Sequence, residues 1–128
     1  MPTFIRRARL CLAALVCTLA ACASVSHTPA ALSAPPDGVA TVRTLQTATT
    51  IDFDTHYRRK LAAGSQWKLV GTVPQGQVYK PVNDVFTVEG AHMHEAYLVL
   101  ADGRLVGFYL PAEGGFSSLA HQQALNFN

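Results

Sequence analysis

The segment His94–Leu110, HEAYLVLADGRLVGFYL, constrains the fold more than any other part of the chain. Two apolar runs flank Asp102-Gly103, and this dipeptide between such runs is a strong signal for a β-hairpin. The reason is that a type I′ turn needs positive φ at both central residues. With these two residues as the loop, the expected register pairs Ala101 with Arg104, Val99 with Val106 and Tyr97 with Phe108.

Both faces of this predicted hairpin are apolar. One face carries Val99 and Phe108, and the other carries Leu98, Leu100 and Leu105. An antiparallel sheet with one side in water would instead alternate apolar and polar side chains. Two interpretations follow: the hairpin is central and covered on both faces, or one face is left for a partner protein, a second copy or a membrane.

The rest of the chain from residue 38 onward contains several short segments typical of β-strands. They alternate or favour extended structure and are separated by turn-forming residues every 8 to 12 positions or so; the clearest are IDFDTHY, WKLVGTV, QVY and VFTV. This spacing predicts a mainly β fold, a small antiparallel sheet or barrel. One short C-terminal helix is expected over 116–125, with Ser117 or Ser118 as its N-cap.

The stretch WKLVGTVPQGQVY, residues 67–79, followed by an aromatic-rich hairpin resembles bacterial SH3-like domains. In those domains a strand, a turn bearing Pro and Gly, and a later hairpin build a five-stranded barrel. The resemblance covers about half of the predicted domain, and it implies a fold without assigning any ligand residue.

The N-terminal segment has the layout of a secretory signal. Three arginines (Arg6, Arg7 and Arg9) precede an apolar run over 10–19, and small residues follow. A membrane-spanning helix needs roughly 20 apolar residues, about twice what this run supplies. The prediction is therefore a cleaved signal peptide over 1–21 and export of the mature chain.

The end of this segment, Leu19-Ala20-Ala21-Cys22, resembles the lipobox of bacterial lipoproteins. The resemblance implies that a diacylglyceryl group is attached to the Cys22 thiol, that signal peptidase II cleaves before Cys22, and that the new amino terminus is acylated. Ala23 stands where an Asp favours retention in the inner membrane, so the resemblance implies the outer membrane, on its periplasmic face.

Removal of the signal peptide changes both the predicted domain boundaries and the net charge of the chain. Residues 22–37 are predicted to form the lipidated N-terminus and a flexible tether rich in Ala, Ser and Pro, and 38–128 the β-rich periplasmic domain. Loss of 3 arginines from 10 basic residues leaves 7 against 8 acidic ones. The charge of the mature chain therefore gives no support to nucleic-acid binding, which needs a basic surface. With Cys22 acylated, the mature chain also has no free thiol.

His92-Met93-His94-Glu95 is the one constellation that suggests site chemistry. On a strand, His92 and His94 share a face and could bind Zn²⁺ or Cu²⁺ through imidazole nitrogens. A third ligand could come from Asp52, Asp54 or His56. Histidines at strand ends are also commonly hydrogen-bonded or solvated.

No catalytic motif such as G-x-S-x-G, H-E-x-x-H or a Gly-rich phosphate loop occurs in the mature sequence. The expected function is therefore that of a lipid-anchored, non-catalytic protein-binding or structural module, with an envelope protein as partner and no cofactor. The alternative is a metal-binding periplasmic lipoprotein that uses His92 and His94.

Overall fold

The computed structural model describes residues 25–35, 37–38, 41–53, 57–90 and 92–128 of the 128-residue chain. Every regular element within these ranges is a β-strand, which confirms the predicted mainly β class. In chain order the strands are β1 (Thr28–Pro29), β2 (Val42–Thr44), β3 (Thr49–Asp52), β4 (Arg58–Leu61), β5 (Gln66–Val73), β6 (Gly76–Pro81), β7 (Thr87–Glu89), β8 (Met93–Glu95), β9 (Tyr97–Ala101), β10 (Arg104–Leu110) and β11 (Gly115–Ala124).

Seven of these strands form one antiparallel sheet in the order β1-β11-β10-β9-β6-β5-β2, and β3-β4 and β7-β8 form two small hairpins. The predicted antiparallel sheet is confirmed. The sheet is not a closed barrel, because β1 and β2 are its two edges. Two isolated bridges make further links in the described part of the chain, one between Leu45 and Phe127 and one between Ser33 and Thr72. The five-stranded SH3-like barrel is therefore not the fold of this chain.

The predicted hairpin is formed by β9 and β10. Asp102 has φ of 51° and Gly103 has φ of 74°, as a type I′ turn requires. Ala101 pairs with Arg104, as expected from the two-residue loop, and Leu100 pairs with Leu105. The local turn chemistry thus correctly predicts the loop and the first rungs of the ladder.

Beyond Leu105 the predicted register is wrong, because the ladder contains a β-bulge. Val99 pairs with Gly107 instead of Val106, so Val106 is an extra residue on β10. Phe108 consequently pairs with Leu98, and Tyr109 takes the position opposite Tyr97. A shift of one residue exchanges the two faces of a strand, so Phe108 lies with Leu98 and Leu100 in the main cluster, and Tyr109 lies on the opposite face.

Both faces of the hairpin are covered. On one face, Leu98 and Phe108 belong to the main core cluster, which also contains Ile51 of β3, Leu61 of β4 and Val88 of β7. The two small hairpins therefore supply the cover for this face. The opposite face holds a second cluster formed by Val73, Val78, Val99, Tyr109 and Phe116, with Ala30 and three further partly buried side chains packed against it.

The C-terminal helix predicted over 116–125 is wrong: these residues belong almost entirely to β11. This strand pairs with β10 from Leu110 opposite Gly115 to Arg104 opposite Ala124. A helix of that length depends on tertiary contacts, whereas a strand here satisfies the backbone groups of β10, which would otherwise be a long apolar edge. The register shifts within β11, and Leu119 and Leu125 are both buried in the main cluster.

The described part of the predicted tether is bound to the sheet. β1 pairs with the start of β11, the Ala30 amide donates to the Gly114 carbonyl at 3.0 Å, and Ser33 exchanges two backbone hydrogen bonds of 2.8 Å with Thr72 of β5. Gly71 permits this approach, because a Cβ there would overlap the Ser33 carbonyl oxygen. This extended segment, rich in Ala and Pro, thus forms backbone hydrogen bonds with β11 and β5 of the sheet.

Candidate functional site

The two histidines singled out from the sequence lie together at one end of the domain. His94 is the middle residue of β8, where it pairs with Val88 and is 8% exposed. His92 precedes the strand and is exposed, yet its ring centroid lies 4.3 Å from that of His94, with 32° between the ring planes. The structure therefore brings the predicted pair together but places only one member in the interior.

The partner of His94 is Glu113, which no sequence pattern indicated. Glu113 lies in the turn that follows β10, and its Oε1 is 2.5 Å from His94 Nδ1. A carboxylate in this position holds the imidazole in one orientation and fixes which nitrogen faces the other way. Nineteen residues separate the two side chains in sequence, so only the tertiary fold reveals the pair.

The second nitrogen of His94 is buried beside Gly90 and Val25. His94 Nε2 is buried and makes no hydrogen bond within the described part of the chain. It lies 3.3 Å from where a Gly90 Cβ would stand, and Val25 Cγ2 lies 2.5 Å from the same point. Because Gly90 and Val25 cover this nitrogen, the geometry favours a structural role for the His94–Glu113 pair over contact with a substrate.

No third metal ligand joins the two histidines among the described residues. Asp52 was one candidate, but its Oδ1 lies 2.7 Å from Arg58 Nε. Asp54 and His56, the other candidates, lie outside the described ranges. Within those ranges no group of three or more His, Cys, Asp or Glu side chains could hold a metal ion. Metal binding through His92 and His94 stays a prediction.

A second candidate site is a cleft at the other end of the hairpin, beside the Asp102-Gly103 turn. We call it the tip cleft. Its volume is about 490 Å³, within the range of about 300–1,000 Å³ typical of ligand sites. It is lined by Arg43, Gly76, Gln77, Tyr79, Leu100, Ala101, Asp102, Gly103, Leu125 and Phe127.

The tip cleft combines a pair of stacked aromatic rings with one cation. The rings of Tyr79 and Phe127 have centroids 6.2 Å apart and planes 14° apart. The Arg43 guanidinium carbon lies 6.0 Å from the Tyr79 ring centroid, and the Tyr79 hydroxyl donates to Gln77 Oε1 at 3.3 Å. Arg43 forms no ion pair with any carboxylate of the described residues. Its five donors are suited to an incoming carboxylate or backbone carbonyl.

The tip cleft was not predictable from the sequence, because its lining comes from distant parts of the chain. Arg43 lies on β2, Tyr79 on β6 and Phe127 near the C-terminus. The only local signal was the predicted turn at Asp102-Gly103. By contrast, the apolar faces of the hairpin do not form an exposed surface, since Leu98 and Val99 are fully buried and point to opposite faces.

The predicted lipobox with Cys22 lies outside the described residues. Within the described part of the chain, no helix is long and apolar enough to cross a bilayer. Comparison of the chain with protein-family models, curated proteins and solved structures finds no match.

Proposed function

We propose that this protein is a lipoprotein of the bacterial envelope, anchored through Cys22 at the periplasmic face of the outer membrane. Its β domain acts there as a non-catalytic binding or structural module. The observation that carries the proposal is Leu19-Ala20-Ala21-Cys22, placed directly after a basic segment and a short apolar run. Several acyl chains on one cysteine, at about 0.8 kcal/mol per buried CH₂, give stable attachment without a spanning helix.

The tip cleft supports the binding part of this proposal. Tyr79 is buried, so the partly exposed Phe127 supplies the aromatic surface of the cleft, which also holds the Arg43 guanidinium. Aromatic and Arg side chains are the types enriched at protein-binding hot spots. Only one cationic side chain lines it, and the mature chain has a net formal charge of −1. We therefore propose an envelope protein as the partner, contacted through an acidic or carbonyl group and an adjoining apolar side chain.

The anchor is tested with Cys22→Ala in the full-length chain. Without the thiol no lipid can be attached, so we expect the protein to leave the membrane fraction in cell fractionation. Cys17→Ala is the matched control: this residue lies in the predicted signal peptide, and the variant should stay with the membranes. Membrane association of Cys22→Ala equal to that of Cys17→Ala would overturn the lipid anchor.

The binding role is tested by photo-crosslinking in intact cells. A photoreactive residue at Gln77, an exposed position lining the tip cleft, is expected to give one discrete crosslinked product that weakens when Arg43→Ala is added. Gln122, exposed on β11 and outside the cleft, is the matched position and should not give that product. The same products at both positions would argue against the cleft as the contact site.

A further inference from the structure

The course of the first described residues indicates how the domain sits on its anchor. Val25 packs against the main core cluster and against Gly90, where its Cγ2 lies 2.5 Å from the position a Gly90 Cβ would take. The next residues stay on the domain: His27 Nδ1 lies 2.9 Å from the Val25 carbonyl oxygen, and the His27 ring lies over Gly115. The start of the domain is therefore held at one place on its surface.

Three peptide steps separate Cys22 from Val25. Each residue spans at most about 3.6 Å, so the two Cα atoms are no more than about 11 Å apart. The headgroup region on each side of the hydrocarbon core is about 5–7 Å thick. Acyl chains attached at Cys22 would thus bring the surface around Val25 to the level of the lipid headgroups.

From this geometry we propose that one end of the domain rests on the membrane. This end, which we call the anchor end, is formed by Val25, His27, Gly90, His92 and Met93, and its partner is the phospholipid surface that carries the anchor. The proposal rests on lipid attachment at Cys22. It is independent of which protein, if any, occupies the tip cleft.

The side chains of the anchor end fit shallow contact with headgroups. Met93 is 54% exposed and points outward from β8, although its unbranched apolar side chain would be favoured in a less aqueous environment. Glu89 lies opposite Met93 in the ladder, and Glu95 follows two residues later; both are exposed. Residues paired directly across a ladder project from the same face, so Glu89 stands beside Met93, and these carboxylates keep the contact at the polar headgroup level, above the hydrocarbon.

The same orientation points the tip cleft away from the membrane. β9 begins at Tyr97, shortly after β8, and runs to Ala101 beside the Asp102-Gly103 turn, five residues that span about 16 Å at about 3.3 Å each. Gln77 pairs with Leu100 near the far end of β9. The cleft is thereby left open to proteins of the periplasm while the opposite end is held at the lipid.

The test uses single cysteines, because acylated Cys22 leaves the mature chain without another thiol. Met93→Cys and Gln77→Cys, both at exposed positions, are made in the full-length chain and labelled with the same environment-sensitive fluorophore. The purified proteins are reconstituted in phosphatidylcholine vesicles that contain a headgroup-attached quencher. We expect loss of most of the fluorescence at position 93 and no loss at position 77.

Vesicle flotation of the same samples separates the two claims. Protein that floats with the vesicles but shows equal quenching at both positions, stronger quenching at 77, or none at either, overturns the orientation and leaves the lipid anchor standing. Protein that does not float overturns the anchor and the orientation together.

Discussion

Replacing Leu98 by alanine is expected to lower the free energy of unfolding by about 2–5 kcal/mol, the range for large-to-small changes in a packed core. Leu98 is fully buried at the centre of the main core cluster, paired with Phe108 on β10 and with Tyr79 on β6. Neither neighbouring strand can move into the space, because both are held in the ladder. Denaturant unfolding followed by the fluorescence of Trp67, the single tryptophan, measures the change.

Leu32→Ala is the matched control for this measurement. Leu32 is 37% exposed and lies outside both clusters, and substitutions at such positions usually change stability by less than about 0.5 kcal/mol. Equal, small losses for Leu98→Ala and Leu32→Ala would contradict a hairpin that is buried on both faces.

Removing the N-terminal segment that lies on the sheet is expected to cost about 2–4 kcal/mol. The backbone pairing of β1 with β11 is lost, together with one hydrogen bond from Ala30 to Gly114 and two between Ser33 and Thr72, and each such bond contributes about 0.5–1.5 kcal/mol. Ala30 also leaves the second cluster, so apolar surface there becomes exposed. The measurement compares the denaturant unfolding of a chain that begins at Val25 with one that begins at Thr41.

A third chain separates the effect of these contacts from that of length. It begins at Val25 but carries a Gly/Ser sequence of equal length over 28–33, and it should be about as unstable as the chain beginning at Thr41. If all three chains unfold at the same denaturant concentration, residues 28–33 are a free tether. Val25 would then not be fixed on the domain, and the anchor end would not be held at the membrane.

Features that depend on a few neighbouring residues were predictable from the sequence. The turn at Asp102-Gly103 follows from the need for positive φ at two adjacent positions, and the strand over 66–73 matches the alternation of WKLVGTV. The outward Asp52 between buried Ile51 and half-buried Phe53 likewise follows from the period of a strand. These local signals were sufficient to identify the class of the fold.

Features that depend on pairing across the sheet were not predictable. The bulge at Val106 exchanges the faces of Phe108 and Tyr109, yet a bulge leaves no mark in a sequence that is apolar at every position concerned. Residues 116–125 have a possible N-cap and spaced leucines, but pairing with β10 outweighs these weak helix signals. Where a neighbouring strand can form a complete ladder of backbone hydrogen bonds, these bonds outweigh the local conformational preference of the residues.

The candidate sites likewise combine features that were predictable from neighbouring residues with features that depend on the tertiary fold. The closeness of His92 and His94 followed from their spacing, but the contact of His94 with Glu113 required the turn after β10 to fold back onto β8. The tip cleft depends on the stacking of Tyr79 with Phe127, which lie 48 residues apart. Pairs at such separations come together only through the topology of the sheet.

The intact mass of the protein purified from bacterial membranes tests the central claim, lipid attachment at Cys22, most directly. We predict a chain that begins at Cys22 and is heavier than the corresponding unmodified polypeptide by one diacylglyceryl group and one amide-linked acyl chain. Fragmentation should place both additions on Cys22. A membrane-derived protein that retains Met1, or one that carries an unmodified Cys22, would contradict lipid attachment at Cys22.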